Sequence, residues 1–125
     1  MSKAKTILIV EDEVALLNVL CTKLASEGFT VLAAQNGQDG LQIALAAHPD
    51  LILLDIVLPV MDGLTVLKEL HADKWGKRAK IIMLTNLGDI QSVVDTLVFG
   101  SHDFLVKSDW KIEDVVKTVR DRLKG

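Results

Sequence analysis

Four short apolar runs in this chain each stop at a residue that polar chemistry can use. Residues 7–10 lead into Glu11 and Asp12, residues 51–54 into Asp55, residues 81–84 into Thr85, and residues 104–106 into Lys107. Runs of this length, rich in branched apolar side chains and set between helical patterns, read as strands buried on both faces. If the strands are parallel, their carboxyl ends share one sheet edge, where open α/β folds place their sites. Three carboxylates, a hydroxyl and an ammonium are then expected in one small pocket.

Each of these residues has a plain alternative role. Asp55 could cap the following turn, Glu11, Asp12 or Glu13 could favour a helix N-terminus, and Lys107 could form a structural ion pair. The helix-terminus account fits Glu13 best, and no site role is assigned to it. The coincidence of four strand ends favours a shared chemistry instead. A carboxylate delivered by a buried strand is costly to desolvate unless a cation compensates. Glu11 and Asp12 beside Asp55 call for a hard divalent cation, and Mg²⁺ suits a few carboxylates while leaving room for phosphate oxygens. Lys107 and the metal would neutralise a transferring phosphoryl group, and Thr85 would donate a hydrogen bond to it. Asp55 would be the nucleophile, as carboxylates can form aspartyl phosphates.

The elements that must position these groups alternate five times. Val14, Leu17, Leu20 and Leu24 repeat at helical spacing and Gly28 closes that helix; residues 30–34 read as a second strand. After Asn36-Gly37, residues Leu41, Ala44, Leu45 and Ala47 form a short helix ending at Pro49. Pro59 and Asp62-Gly63 mark the turn after the third strand, and Leu64, Leu67 and Leu70 stripe a third helix. A polar connection from Asp73 to Lys80 leads into the fourth strand. A fourth helix carries Ile90, Val93, Val94, Leu97 and Val98 and stops at Gly100. Ile112, Val115, Val116, Val119 and Leu123 give the stripe of an amphipathic last helix. Five strand–helix repeats imply an α/β fold, a (βα)5 doubly wound five-stranded parallel sheet with helices on both faces.

The totals agree with one such module. A chain of 125 residues fits one domain with a proper core, and 50% hydrophobic with 25% charged residues suits a globular protein. A net charge of -3 gives no general attraction to nucleic acid or acidic membrane. The basic residues of the last helix, Lys117, Arg120, Arg122 and Lys124, alternate with Asp114 and Asp121 and read as a solvated face. The single cysteine, Cys21, cannot staple a fold and sits in a helical stripe as a small apolar side chain. With no signal segment and no apolar run near the ~20 residues of a membrane helix, a cytoplasmic location is expected.

Over essentially its full length the chain resembles a response-regulator receiver domain of two-component signalling, of the single-domain, chemotaxis-regulator-like kind. The segments that carry the resemblance are 7–13, 49–63 with Asp55, Pro59 and Gly63 at fixed offsets, Leu84-Thr85, and Gly100 to Lys107. It implies a flavodoxin-like sheet of order 2-1-3-4-5 and one receiver (response regulatory) domain spanning 1–125. It implies that Asp55 accepts a phosphoryl group from a histidine kinase or phosphotransfer protein, with Thr85 and Lys107 binding the phosphoryl oxygens. Glu11, Asp12, Asp55 and the backbone carbonyl of Ile56 would hold Mg²⁺. Thr85 and Phe104 would act as the switch, altering the surface of the fourth helix, fifth strand and last helix for a downstream protein target. Such a protein is a signalling phosphoacceptor rather than an enzyme with an external substrate. No direct nucleic-acid or membrane contact is implied.

Three positions depart from the family pattern. Ser108 follows Lys107 where proline is usual, often after a cis bond, so the lysine loop is expected to differ in shape. Asn86 follows Thr85 where a small residue often stands. Val57 and Leu87, two residues after Asp55 and Thr85, are apolar and cannot orient a hydrolytic water, so self-dephosphorylation is expected to be slow. Three rival readings fit these residues less well. A haloacid-dehalogenase-like phosphatase needs a second Asp where Val57 stands. A flavin- or nucleotide-binding domain needs a glycine- or hydroxyl-rich loop where Glu11-Asp12-Glu13 stands. A vestigial receiver acting as a phosphorylation-independent interaction module is the alternative, against which stand Asp55, Thr85 and Lys107. Both a stand-alone receiver and a piece of a larger regulator fit the sequence.

Overall fold

A computed structural model describes residues 4–86, 103–107 and 111–124, without the side chains of Asp103 and Phe104. The strands are β1 (Thr6–Val10), β2 (Thr30–Ala34), β3 (Leu51–Asp55), β4 (Ile81–Thr85) and β5 (Asp103–Val106). Between them lie α1 (Val14–Ser26), α2 (Gly37–Ala47) and α3 (Gly63–His71), and a last helix covers Ile112–Lys124. All neighbouring strands are parallel, in the order β2-β1-β3-β4-β5. This is the flavodoxin-like doubly wound sheet expected above. The helix read over Ile90–Val98 lies outside the described residues, as do Leu87, Ser108 and Trp110.

Strand alternation divides the core into two layers. Leu8, Val10, Ile52, Leu54, Ile81 and Met83 face one side and pack with Ala44 of α2 and Val66, Leu67 and Leu70 of α3. Ile7, Ile9, Leu51, Leu53, Ile82 and Leu84 face the other, against Leu17, Leu20 and Leu24 of α1 and Val115, Val116 and Val119 of the last helix. Both faces of β1, β3 and β4 are therefore covered, which explains why these strands read as unbroken apolar runs rather than alternating ones. The stripes of α1, α3 and the last helix fall where the spacing placed them. Val14 is the exception: at the first position of α1 it stays half exposed beside the carboxyl ends of the strands.

Two signals read as turns are helix caps. Asn36 Oδ1 accepts from the Asp39 N–H at 2.8 Å and starts α2 at Gly37, ahead of the apolar stripe. Asp62 Oδ1 does the same for Thr65 at 2.8 Å and starts α3 at Gly63. Gly63 is required there because a Cβ would stand 2.1 Å from the Asp55 carbonyl oxygen. That close approach presses the start of α3 against the end of β3, the strand that carries Asp55.

Between them the chain makes a tight reversal. The Met61 N–H donates to the Pro59 carbonyl at 2.7 Å, closing a three-residue γ-turn around Val60, whose φ is 69°. A β-branched residue is poorly suited to positive φ, and Val60 is 75% exposed, so little packing offsets the strain. Replacing it with a residue that tolerates this region should stabilise the fold. Val60→Asn is expected to raise stability by about 1 kcal/mol. The check is urea denaturation, with a higher midpoint at an unchanged slope; an unchanged or lower midpoint would show that the turn relaxes around valine.

Candidate functional site

The register of the sheet brings the four strand ends together. Val10 pairs with Leu54, Asp55 with Leu84, and Thr85 with Val106, so the residues that follow or end each strand lie at nearly one level. The Lys107 N–H continues the ladder by donating to the Thr85 carbonyl at 2.7 Å. Glu11, Asp55 and Thr85 are buried, while Asp12 is exposed. The two acids after β1 are thus unequal: one faces inward and one guards the rim.

Lys107 is the hub. Its Nζ lies 2.8 Å from Asp55 Oδ2, in a hydrogen bond, and 2.6 Å from Glu11 Oε1. The second contact is a buried ion pair, so one ammonium serves both carboxylates. The other Glu11 oxygen accepts from the Glu13 N–H at 3.0 Å. Asp55 Oδ1 accepts from the Val57 N–H at 3.2 Å. The backbone of Glu13 and Val57 therefore orients the two carboxylates, a role that side-chain chemistry in the sequence did not signal.

Burial and the neighbouring Glu11 outweigh Lys107 at Asp55 and raise its carboxyl to about 7. Burial would raise Glu11 as well, but Lys107 and the Glu13 N–H more than offset it and hold Glu11 below its ordinary value. Burial would lower the Lys107 ammonium, yet Asp55 and Glu11 hold it above its usual value. Lys107 and Glu11 are thus held toward their charged forms, and Asp55 is the carboxyl that burial favours protonated.

The carboxylate oxygens of Glu11, Asp12 and Asp55 can lie within 4.8 Å of one another, a spacing one cation can bridge. The all-oxygen donor set fits a hard divalent ion such as Mg²⁺. The Ile56 carbonyl, which the resemblance adds to the metal ligands, has one lone pair in use. Its oxygen accepts from the Gly63 N–H at 2.8 Å and fixes the start of α3. The Thr85 hydroxyl donates to the Asn86 carbonyl at 3.1 Å, so in this form its proton is turned to its own backbone. Phe104 occupies β5 opposite Met83; its switch role rests on a side chain outside the described residues, as does the shape of the Lys107–Ser108 link.

The family model for the response regulator receiver domain matches residues 7–120. The chain belongs to that family. The receiver domain is 35% identical over 118 residues to the DNA-binding dual master transcriptional regulator RpaA of Synechocystis, an alignment covering 94% of this chain and 48% of RpaA. The domain spans about half or less of the length of such curated relatives. Among solved structures, a CheY-like receiver domain protein of Methanospirillum hungatei superposes with a TM-score of 0.89 at 29% identity, covering 98% of this chain and 95% of that one. The receiver domain of a sensor histidine kinase from Pseudomonas aeruginosa, solved with magnesium in its active-site cleft, gives 0.87 at 29% identity, covering 98% and 99%. No described helix of the present domain is long and apolar enough to cross a membrane.

The raised Asp55 carboxyl sets a stability dependence. A group that holds its proton more tightly when folded favours folding below its unfolded value, and loses that contribution as pH rises through about 7. Asparagine has no such loss. In chelator-treated protein, Asp55→Asn should therefore be more stable than wild type at pH 8, with the gap narrowing toward pH 5. Thermal melts across that range check the sign; a gap that widens on acidification would contradict it.

Proposed function

We propose that the domain is the phosphoacceptor switch of a two-component phosphorelay, with Asp55 as the residue phosphorylated. The observation that carries the reading is the buried Asp55 carboxylate held between Lys107 and the Glu11–Asp12 pair. Glu11, Asp12 and Asp55 would hold Mg²⁺, which supplies positive charge to the phosphoryl oxygens when bound. The Ile56 carbonyl stays with α3 unless its second lone pair is used. Asp55 Oδ1, oriented by the Val57 N–H, or its partner Oδ2 attacks phosphorus of a phosphohistidine in a kinase or phosphotransfer protein. The phosphorus–nitrogen bond breaks as the phosphorus–oxygen bond forms, and the imidazole leaves with its electron pair. Lys107 shifts its hydrogen bond from Asp55 Oδ2 to a phosphoryl oxygen.

The switch follows from the same groups. Thr85 would exchange its bond to the Asn86 carbonyl for one to the phosphoryl group, and Phe104 would respond to the space this vacates. The new dianion thereby biases a two-state element on the β5 side of the sheet, which a downstream protein reads. The functional unit is one receiver module over 1–125, acting through protein contacts without direct nucleic-acid or membrane binding. It is a self-modifying signalling protein rather than an enzyme with turnover.

Incubation with Mg²⁺ and acetyl phosphate should add one base-labile phosphoryl group. Asp55→Asn or excess chelator should abolish it, and Lys107→Ala should slow it by about a hundredfold, as expected for loss of one charge-stabilising group. Persistence of the modification in Asp55→Asn, seen by mass spectrometry, would reject Asp55 as acceptor. A vestigial interaction module predicts no modification at all.

Dephosphorylation tests a finer point. Val57 follows Asp55 by two residues and is 55% exposed above it, with nothing polar to orient a water. The aspartyl phosphate should be long-lived, and Val57→Asn should shorten its lifetime severalfold. Equal decay of the two proteins would remove Val57 from the account.

A further inference from the structure

The opposite edge of the sheet carries a second concentration of chemistry. Lys5 precedes β1, Asp50 precedes β3 and Lys80 precedes β4, so all three stand at the amino ends of strands. With His48, Trp75 and Arg78 they line a cavity of about 220 Å³. The His48 and Trp75 rings stack, with centroids 4.3 Å apart and planes within 5°. His48 reaches that position because it caps α2 in the left-handed conformation, at φ 48°. The sequence presents this region only as a polar connection.

The described lining is net positive, with Lys5, Arg78 and Lys80 against one carboxylate. Asp50, the one carboxylate in the lining, is taken up by the Thr6 N–H at 2.7 Å. Lys80 Nζ reaches the Leu123 carbonyl at 3.4 Å, near the end of the last helix, where a cation suits the helix dipole. That account does not extend to Lys5 and Arg78, which have no ion-pair partner among the described residues. Cations converging on a concave surface beside a stacked indole and imidazole match a ligand that is both anionic and aromatic. The cavity is smaller than the ~300–1,000 Å³ of sites that enclose a drug-sized ligand, so it would hold one ring or one phosphate and leave the rest in solvent.

We propose that this cavity binds a small phosphorylated heteroaromatic molecule of nucleoside-monophosphate size, its ring on the His48–Trp75 wall and its phosphate on Lys5 and Arg78. Guanidinium and ammonium donors give short charge-assisted hydrogen bonds to phosphate. The site lies across the sheet from Asp55 and shares no residue with it, so its occupancy requires neither metal nor phosphorylation of Asp55.

The test uses Trp110→Phe protein, which leaves Trp75 as its one tryptophan, titrated without Mg²⁺ with AMP and, in parallel, with inorganic phosphate. AMP should change Trp75 fluorescence saturably and phosphate should bind more weakly. The Lys5→Gln/Arg78→Gln double variant, altered only at exposed side chains, should bind AMP at least ~tenfold more weakly while still accepting phosphate from acetyl phosphate. Asp55→Asn should bind AMP as wild type does. No saturable binding by fluorescence and by equilibrium dialysis overturns the proposal. So does equal binding of phosphate and AMP, undiminished affinity in the double variant, or loss of binding in Asp55→Asn.

Discussion

The ammonium of Lys107, set between Asp55 and Glu11, is the interaction on which the site depends. Two carboxylates at the ends of adjacent buried strands repel each other and lose most of their hydration. Lys107 meets both, at 2.8 Å and 2.6 Å, and its own backbone N–H is anchored to Thr85. One residue, through its side chain and its backbone, thus ties β1, β3, β4 and β5 together at their carboxyl ends. The apolar core holds the strands in register, and among the described residues only the Glu13 and Val57 N–H groups assist Lys107 in meeting the two carboxylates. Each part of the proposed chemistry is a change in how this one cation is shared.

The loop after β3 is shaped by the same demand. Asp55 must end a buried strand and α3 must begin almost at once, so the chain turns back on itself within a few residues. Gly63 lets the helix approach the Asp55 carbonyl, and Asp62 accepts from the Thr65 N–H in its first turn. Val60 takes the left-handed φ that the reversal needs, and does so without glycine or asparagine. Strain at an exposed valine five residues after Asp55 fits a fold that fixes that carboxylate and lets the surface adjust.

Much of this was legible in the residues because both sides of the sheet are buried. Unbroken apolar runs ending in Glu11, Asp55, Thr85 and Lys107 announce strands whose ends share an edge, and the helical stripes of Leu17, Leu20 and Leu24 or Val115, Val116 and Val119 announce what covers them. Strand order came from the family resemblance, since periodicity is blind to which strands are neighbours. Sequence could not separate Glu11 from Asp12, because a strand's last half-turn decides which carboxylate points inward. It could not foresee the Glu13 and Val57 N–H groups as ligands of the carboxylates, since every residue has one. The stacking of His48 on Trp75 joins residues 27 positions apart through a left-handed cap that no local pattern marks.

A charge count explains why the site, as proposed, needs a metal as well as its lysine. Glu11, Asp12 and an ionised Asp55 bring three negative charges and Lys107 one positive, so the edge is negative before any phosphate arrives. A phosphoryl group adds ~1.5 to 2 more at neutral pH, and Lys107 cannot offset that while it remains paired to Glu11. The raised Asp55 carboxyl is the same imbalance in another form: without a second cation, a proton fills part of the deficit. Glu11, Asp12 and Asp55 would share the charge of a divalent ion in place of that proton, and Asp55 would then keep the lone pair that the proposed attack on phosphorus requires. On the proposed reading, the negative charge that opposes ionisation of Asp55 would also make its phosphorylation depend on the metal, and an isosteric neutral pocket would be more stable and inert.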